Sequence, residues 1–272
     1  MTTVATDRPA EMNCAVNHGM RFPKGVVVPV LLIALAEAAF RLAGFRSDSI
    51  APPSVVAVDL YRGLLDGQIL EATRTTLVAA FSGLLIGGLL GLTMGVLRAT
   101  FRRLDQLLEV TTETIRPIPS IAILPVAILI FGFGYSLEIS LVSLSCIFTT
   151  FILTRAAVLG VDRRMLEVGL VLRLNLWDRM RKLILPAAFP RIFVAFRWAT
   201  SLSLIVAVTT EIAANPIGLG SAMMMAQQSL NPGLTVAYLV WIGFVGWLLN
   251  FLLIKVQRRY FARFSTSALD EK

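Results

Sequence analysis

Six stretches of this chain, roughly 25–44, 75–97, 118–135, 137–158, 192–213 and 235–255, are each apolar enough and about long enough to cross a bilayer. A helix needs ~20 apolar residues for that crossing, and only helices or closed barrels satisfy their backbone in lipid. The expected fold class is therefore all-α transmembrane, with about six spanning helices. Composition agrees: 56% of the 272 residues are hydrophobic and 15% charged, where soluble domains carry about 25% charged. The formal charge of +8 is read as topology rather than as nucleic-acid binding, because basic residues hold loops on the cytoplasmic side.

With the N-terminus inside, the inner segments hold 21 of the 25 Lys and Arg residues. Both termini are therefore expected in the cytoplasm, as a tail over 1–24 and another over 258–272. Residues 25–257 read as one membrane domain, with no repeat at fixed period. Pro52 and Pro53 mark a bend in the first outer loop, and a short surface helix is expected beyond them. Gly132 and Gly134 mark a tight turn between the third and fourth spans.

Within the spans, Gly83, Gly87, Gly91 and Gly95 recur every four residues, the small-residue spacing that lets another helix approach closely. Pro125 falls inside the third span and is expected to kink it, a kink that either lines a solute path or serves packing in the bundle. Thr200, Ser203, Ala207 and Thr210 put small and polar side chains on one face of the fifth span, with Glu211 near its outer end. That stripe either lines a solute path or bonds to neighbouring helices, and an ionisable group at membrane depth is a functional candidate. Glu37 and Arg41, four apart in the first span, are placed to form an ion pair.

A polar interruption covers about 160–190. Leu176, Trp177, Met180, Leu183 and Ile184 fall at i, i+1, i+4, i+7 and i+8, with Asp178, Arg179, Arg181 and Lys182 between them, which makes a short amphipathic helix. Asn175 is suited to cap it, Asp178 stands where a capping box has Glu, and Pro186 is expected to stop it. A second short helix is expected from near Asp162 through Glu167. Periodicity alone leaves two occupants open for this surface, anionic lipid or a cytoplasmic protein.

The spacing of Glu167, Leu183, Leu185 and Pro186 resembles the EAA loop of permease subunits in binding-protein-dependent ABC importers: Glu-Ala-Ala, three residues, Gly, nine residues, Ile-x-Leu-Pro. Val168 and Gly169 replace the alanines, and Arg173 stands in place of the Gly that permits the break between the two helices, so the break is expected to shift toward Asn175. RPIPSIAILPVAILIFGFGYSLEI and AFPRIFVAFRWATSLSLIVAVTTEIAANPIGLGSAM are similar to segments of the nitrate, sulfonate and taurine branch. The resemblance implies a pair of cytoplasmic coupling helices between the fourth and fifth spans. In them Glu167 would make a charged contact with an ATPase subunit, Trp177 and Leu183 would fill apolar space, and Leu185 with Pro186 would fix the exit. It also implies two ATPase subunits, a second permease copy as a homodimer, and a soluble periplasmic or lipid-anchored binding protein. The expected location is the bacterial inner membrane, and the implied cargo is a sulfonate, nitrate-like anion or similar small solute moved by ATP-driven alternating access.

The chain contains no Gly-Lys dipeptide, so a G-x-x-x-x-G-K-[ST] phosphate loop is excluded. ATP and Mg would be used by the partner, with no catalytic residue and no cofactor in this chain. Cys14, Cys146 and the lone His18 cannot assemble a zinc site. An ion-coupled secondary transporter or channel is the alternative; it calls for inverted repeats or paired intramembrane charges. A membrane-embedded enzyme calls for clustered His, Cys or carboxylates, which this inventory lacks.

Overall fold

The computed structural model describes residues 24–43, 51–115 and 118–265; the N-terminal tail with Cys14 and His18, Pro117, and the last residues lie outside them. The described residues are helical, joined by turns, with no strand. The chain divides into two units, Met1–Arg46 and Ser47–Lys272. The first contains helix α1 (Lys24–Ala43), where the Arg41 guanidinium meets Glu37 at 2.8 Å.

The second unit contains α2 (Pro53–Leu65), α3 (Gln68–Thr100), α4 (Arg102–Ile115), α5 (Leu124–Phe131), α6 (Tyr135–Leu159), α7 (Arg163–Val171), α8 (Leu176–Arg179), α9 (Leu185–Ala213), α10 (Leu219–Gln228) and α11 (Pro232–Ser265). Four helical segments among the described residues are long and apolar enough to cross a membrane: α3, α6, the path from Leu176 to Ala213, and α11. The chain is an integral membrane protein. The expected surface helix beyond Pro52 is α2, which starts with Pro53 in its first turn.

Helix α3 lies along α6, and the glycine row is the reason it comes so close. A Cβ on Gly83 would stand 2.6 Å from the Val142 side chain; one on Gly95 would stand 2.8 Å from Phe151 O and Thr154 Cβ; and one on Gly87 would run into the carbonyl of Ser143. In lipid this contact supplies dispersion that solvent exclusion cannot, so removing four side chains strengthens the pairing. Beside the seam, Ala80, Leu84, Leu137, Leu141, Val142, Cys146, Ala199 and Ala207 join α3, α6 and α9 in one core, closed by Ala127 of α5.

Two proline expectations are corrected. The third span is not one kinked helix: a 3₁₀ turn over Ser120–Ile123 passes into α5, and Pro125 occupies the first turn of α5, where its missing N–H has no partner to lose. The Ser120–Phe131 stretch is thus a shorter apolar helix. Nor does Pro186 end the amphipathic helix. A wider π turn over Met180–Ile184 bridges α8 to α9, the Leu185 N–H bonding to Met180 O five residues back. That turn accommodates the ring of Pro186, and the helical path continues from Leu176 to Ala213.

Two helices were not anticipated. Amphipathic α4 crosses the ends of α3 and α6, and α10 packs against α3 and α11 through Ile69, Leu219, Ala226 and Tyr238.

Candidate functional site

Helices α7 and α8 form a compact two-helix unit next to the end of α6. Asp162 Oδ1 accepts from Arg164 N at 3.0 Å and starts α7; Asn175 Oδ1 accepts from Leu176 N at 2.7 Å and starts α8. Asp178 does not turn back toward Asn175; it pairs with Lys182 at 3.0 Å. The break between the helices does not shift to Asn175. It stays at Arg173, which adopts φ +48°, while Leu174 N bonds to Gly169 O and Arg173 N to Leu170 O. This is the left-handed helix ending that glycine makes cheaply, and a non-glycine residue pays about 1 kcal/mol or more for it.

Gly169, where the loop motif has its second Ala, is buried, with room for little else: a Cβ there would stand 3.0 Å from Arg179 Cγ and 3.1 Å from Leu183 Cδ1. Leu183 therefore packs between the two helices. Leu185 turns to the chain's own core with Ala157, Val158 and Ile192, and Pro186 is exposed. Glu167 stands exposed on α7. Around it Val168, Leu170, Val171, Leu172 and Trp177 leave a large apolar surface uncovered, with Trp177 71% exposed.

Behind this unit, Asp105 of α4 binds three helix ends together. Arg155 of α6 grips it with two bonds of 2.6 and 2.5 Å, and Arg98 of α3, 4% exposed, adds a third at 2.9 Å. Arg98 also donates to Thr112 Oγ1 and lies 5.0 Å over the Phe151 ring. The Arg155 bonds first, then those of Arg98, hold the Asp105 carboxyl below its usual value. Arg191 of α9 donates to Gly160 O at the end of α6.

The polar stripe of α9 faces inward. Thr200, Ser203 and Thr210 are buried and donate to carbonyls of their own helix, those of Phe196, Thr200 and Val206. The opposite face borders two clefts that share Trp198. One, of about 670 Å³, lies between α9 and α11 and is lined by Arg197, Ser201, Thr209 and Asn250, and Thr200 of the stripe also reaches it. The other, of about 700 Å³, lies between α6, α9 and the 3₁₀ turn before α5, with Ser120, Ser145 and Thr149 among apolar residues. Pro125 lines neither.

Glu211 is buried at the far end of α9. Its Oε1 accepts from Thr76 Oγ1 at 2.6 Å and its Oε2 from Gly220 N at 2.7 Å, tying the start of α10 to α3 and α9. Glu138 of α6, fully buried, meets the same carboxyl group. Glu138 and Asn215 drew no attention in the sequence, although each, like Glu211, is a lone polar residue in an apolar context. No group of three or more His, Cys, Asp or Glu positioned to hold a metal ion occurs among the described residues.

A family model described as "binding-protein-dependent transport system inner membrane component" matches residues 87–266. The chain belongs to this family. The permease is 29% identical over 237 residues to the putative aliphatic sulfonates transport permease protein SsuC of Bacillus subtilis, covering 87% of this chain and 86% of that one. It is 28% identical over 200 residues to the bicarbonate transport system permease protein CmpB of Synechococcus elongatus, covering 73% and 72%. The riboflavin transport system permease protein RibX of Chloroflexus aurantiacus is 27% identical over 201 residues, covering 74% and 75%. In fold, the permease is similar to a chain of an inward-facing MetNI methionine ABC transporter, with a TM-score of 0.63 at 20% identity over 68% of this chain and 93% of that one. A chain of an amino acid ABC transporter gives 0.62 at 17% identity, covering 75% and 97%. The permease is a component of an ABC importer.

Proposed function

We propose that the permease imports a small anion, a sulfonate or a nitrate- or bicarbonate-like solute, by ATP-driven alternating access, with α7 and α8 seated on an ATPase subunit. The uncovered apolar surface around Glu167 and Trp177 carries this reading. An aromatic anchor with a neighbouring charge is how strong protein contacts are built, and the Lys and Arg bias puts this surface in the cytoplasm. Two permease copies, two ATPases and an external binding protein complete the assembly. Uptake into vesicles holding the permease, its ATPase and its binding protein should stop when ATP is withheld. Uptake that persists without the ATPase and collapses with a protonophore would establish the ion-coupled alternative. Screening the binding protein for thermal stabilisation by sulfonates, nitrate, bicarbonate, aromatic acids and pyrimidines identifies the solute.

The solute path follows the face of α9 where Thr200, Ser201 and Thr209 border a cleft, rather than the buried Ser203 and Thr210, which line neither cleft. Cysteine at Ser201 should react with a charged, membrane-impermeant thiol reagent, and cysteine at Ser203 should not, in a background lacking Cys14. The reverse pattern would return the path to the buried stripe.

A further inference from the structure

Where α6 begins and α9 ends, two acids meet out of reach of solvent. Glu138 is 0% exposed and Glu211 2%. The neighbouring groups that reach the pair are uncharged: the Thr76 hydroxyl from α3, the Gly220 N–H from α10 and the Asn215 amide from the turn after α9. The titratable side chains on the elements packed around them stand apart from this network. Tyr238 of α11 lies in the apolar cluster with Leu219, Glu71 of α3 lines the open cleft beside Pro216, and Asp59 of α2 faces Gly233.

Each oxygen of Glu211 already accepts a hydrogen bond, from Thr76 and from Gly220. Glu138 Oε2 accepts from Asn215 Nδ2 at 3.1 Å, whereas no N–H or O–H of the other described residues reaches Glu138 Oε1. That oxygen belongs to the carboxyl group in contact with Glu211. Two buried carboxylates in contact repel strongly unless a proton lies between them. A cation would need acceptors, but hydroxyl, amide and backbone donors already point at these oxygens. The bonding pattern favours the arrangement in which Glu211 is ionised and Glu138 carries a hydrogen on Oε1 that it donates to Glu211, because a proton on Glu211 would turn the Thr76 hydroxyl from its 2.6 Å bond with the acid to the longer one with Ala72 O, at 3.1 Å.

We propose that Glu138 and Glu211 form a proton-binding site in which Glu138 holds one proton, and that this proton ties the turn before α6 to the turn between α9 and α10. Asn215 completes the tie: its Nδ2 donates to Glu138, and its Oδ1 accepts from Gly134 N at 2.7 Å. Gly134, at φ +107°, sits in one turn, and Gly218, at φ +94°, sits in the other. A Cβ on Gly218 would run into the Glu211 carboxyl group, so that turn is built around the acid. Without the proton the pair is like-charged and drives the two turns apart; with it, α3, α6, α9 and α10 are held at one point.

The arrangement is asymmetric, and glutamine tests it. In Glu138→Gln, the amide N–H donates to Glu211 and the amide oxygen still accepts from Asn215. In Glu211→Gln, the NH₂ group faces either the Gly220 N–H, a donor, or the Thr76 hydroxyl, which must then give up its 2.6 Å bond and turn to Ala72 O. Infrared spectra of the full-length chain in lipid nanodiscs at neutral pH should show a protonated-carboxyl C=O band that shifts in D₂O. Glu138→Gln should lose this band and keep its Tm, while Glu211→Gln should lower Tm by roughly 5–10 °C. Absence of the band in the unsubstituted chain, its survival in Glu138→Gln, or an equal fall in Tm for both variants would overturn the proposal. Where Glu211→Gln yields no folded protein, the spectrum and Tm of Glu138→Gln decide alone.

Discussion

The seam between α3 and α6 and the two-helix unit of α7 and α8 both rely on a glycine where chains come close, yet they end differently. In the seam, Gly83, Gly87, Gly91 and Gly95 remove side chains so that backbone meets backbone, and α6 covers the result. In the unit, Gly169 lets Arg179 and Leu183 come in, but the outer faces of both helices keep Val168, Leu170, Val171 and Trp177 uncovered. A seam completed within the chain serves the fold of that chain; the surface left apolar is the one proposed to seat on an ATPase subunit. Variants in the first should change the stability of the isolated permease, and variants in the second only its assembly.

The largest effect is expected in the seam. Gly87→Leu places a side chain where the Ser143 carbonyl stands, at a cost on the order of 5 kcal/mol or more, so the purified chain should fail to give a monodisperse peak on gel filtration. A wild-type profile would make the glycine row incidental. On the docking surface, Glu167→Lys should leave Tm unchanged and reduce co-purification with the ATPase at least a hundredfold, because like charges in a contact cost several kcal/mol. Undiminished co-purification would remove Glu167 from the contact.

Asp105 belongs with the seam, although it lies near the docking unit. Asp105→Asn strands the buried Arg98, and a loss of about 3 kcal/mol is expected, read as a lower Tm at neutral pH. Because the folded carboxyl titrates below its usual value, its contribution is complete above the unfolded value of about 3.9 and is lost as pH falls through the lowered one. The Tm gap between Asp105→Asn and the parent should therefore close only below about pH 4. A gap unchanged at that acidity would assign the effect to packing. The smallest effect is at the junction of α7 and α8: Arg173→Gly should stabilise the fold by about 0.5 kcal/mol, read as a slightly higher Tm, since relief of the left-handed strain exceeds the added freedom of the unfolded chain. A fall in Tm would show that the Arg173 side chain contributes more than its backbone strain removes.

The two regions were legible to different degrees. The glycine row was visible because four small residues at one spacing in an apolar run have few other uses. The two-helix unit was visible because helical periodicity and an acid-to-proline spacing are local patterns. Its internal turn was misplaced: with no glycine at 173, sequence reasoning moved the break to Asn175, whereas hydrogen bonds across Gly169 to Leu174 keep it at 173. Helix α4 carried its own signal, the amphipathic run LDQLLEV, which lay in the shadow of the longer apolar stretches. The α9 stripe was seen, but not the side it faces, because a buried hydroxyl that bonds back to its own helix leaves the same residue pattern as one that lines a cleft.

The sequence by itself determined a helical membrane protein, a close-packing face and a two-helix surface with a charge at its centre, because each follows from composition or from spacing along a single helix. Only the tertiary structure decided that Glu138 and Glu211, 73 residues apart in sequence, share one site, that Asp105 binds three helix ends, and that Pro186 sits inside a continuous helical path rather than at its end. These outcomes depend on which faces meet once helices pack, and on hydrogen bonds in which every buried donor and acceptor must be matched at once.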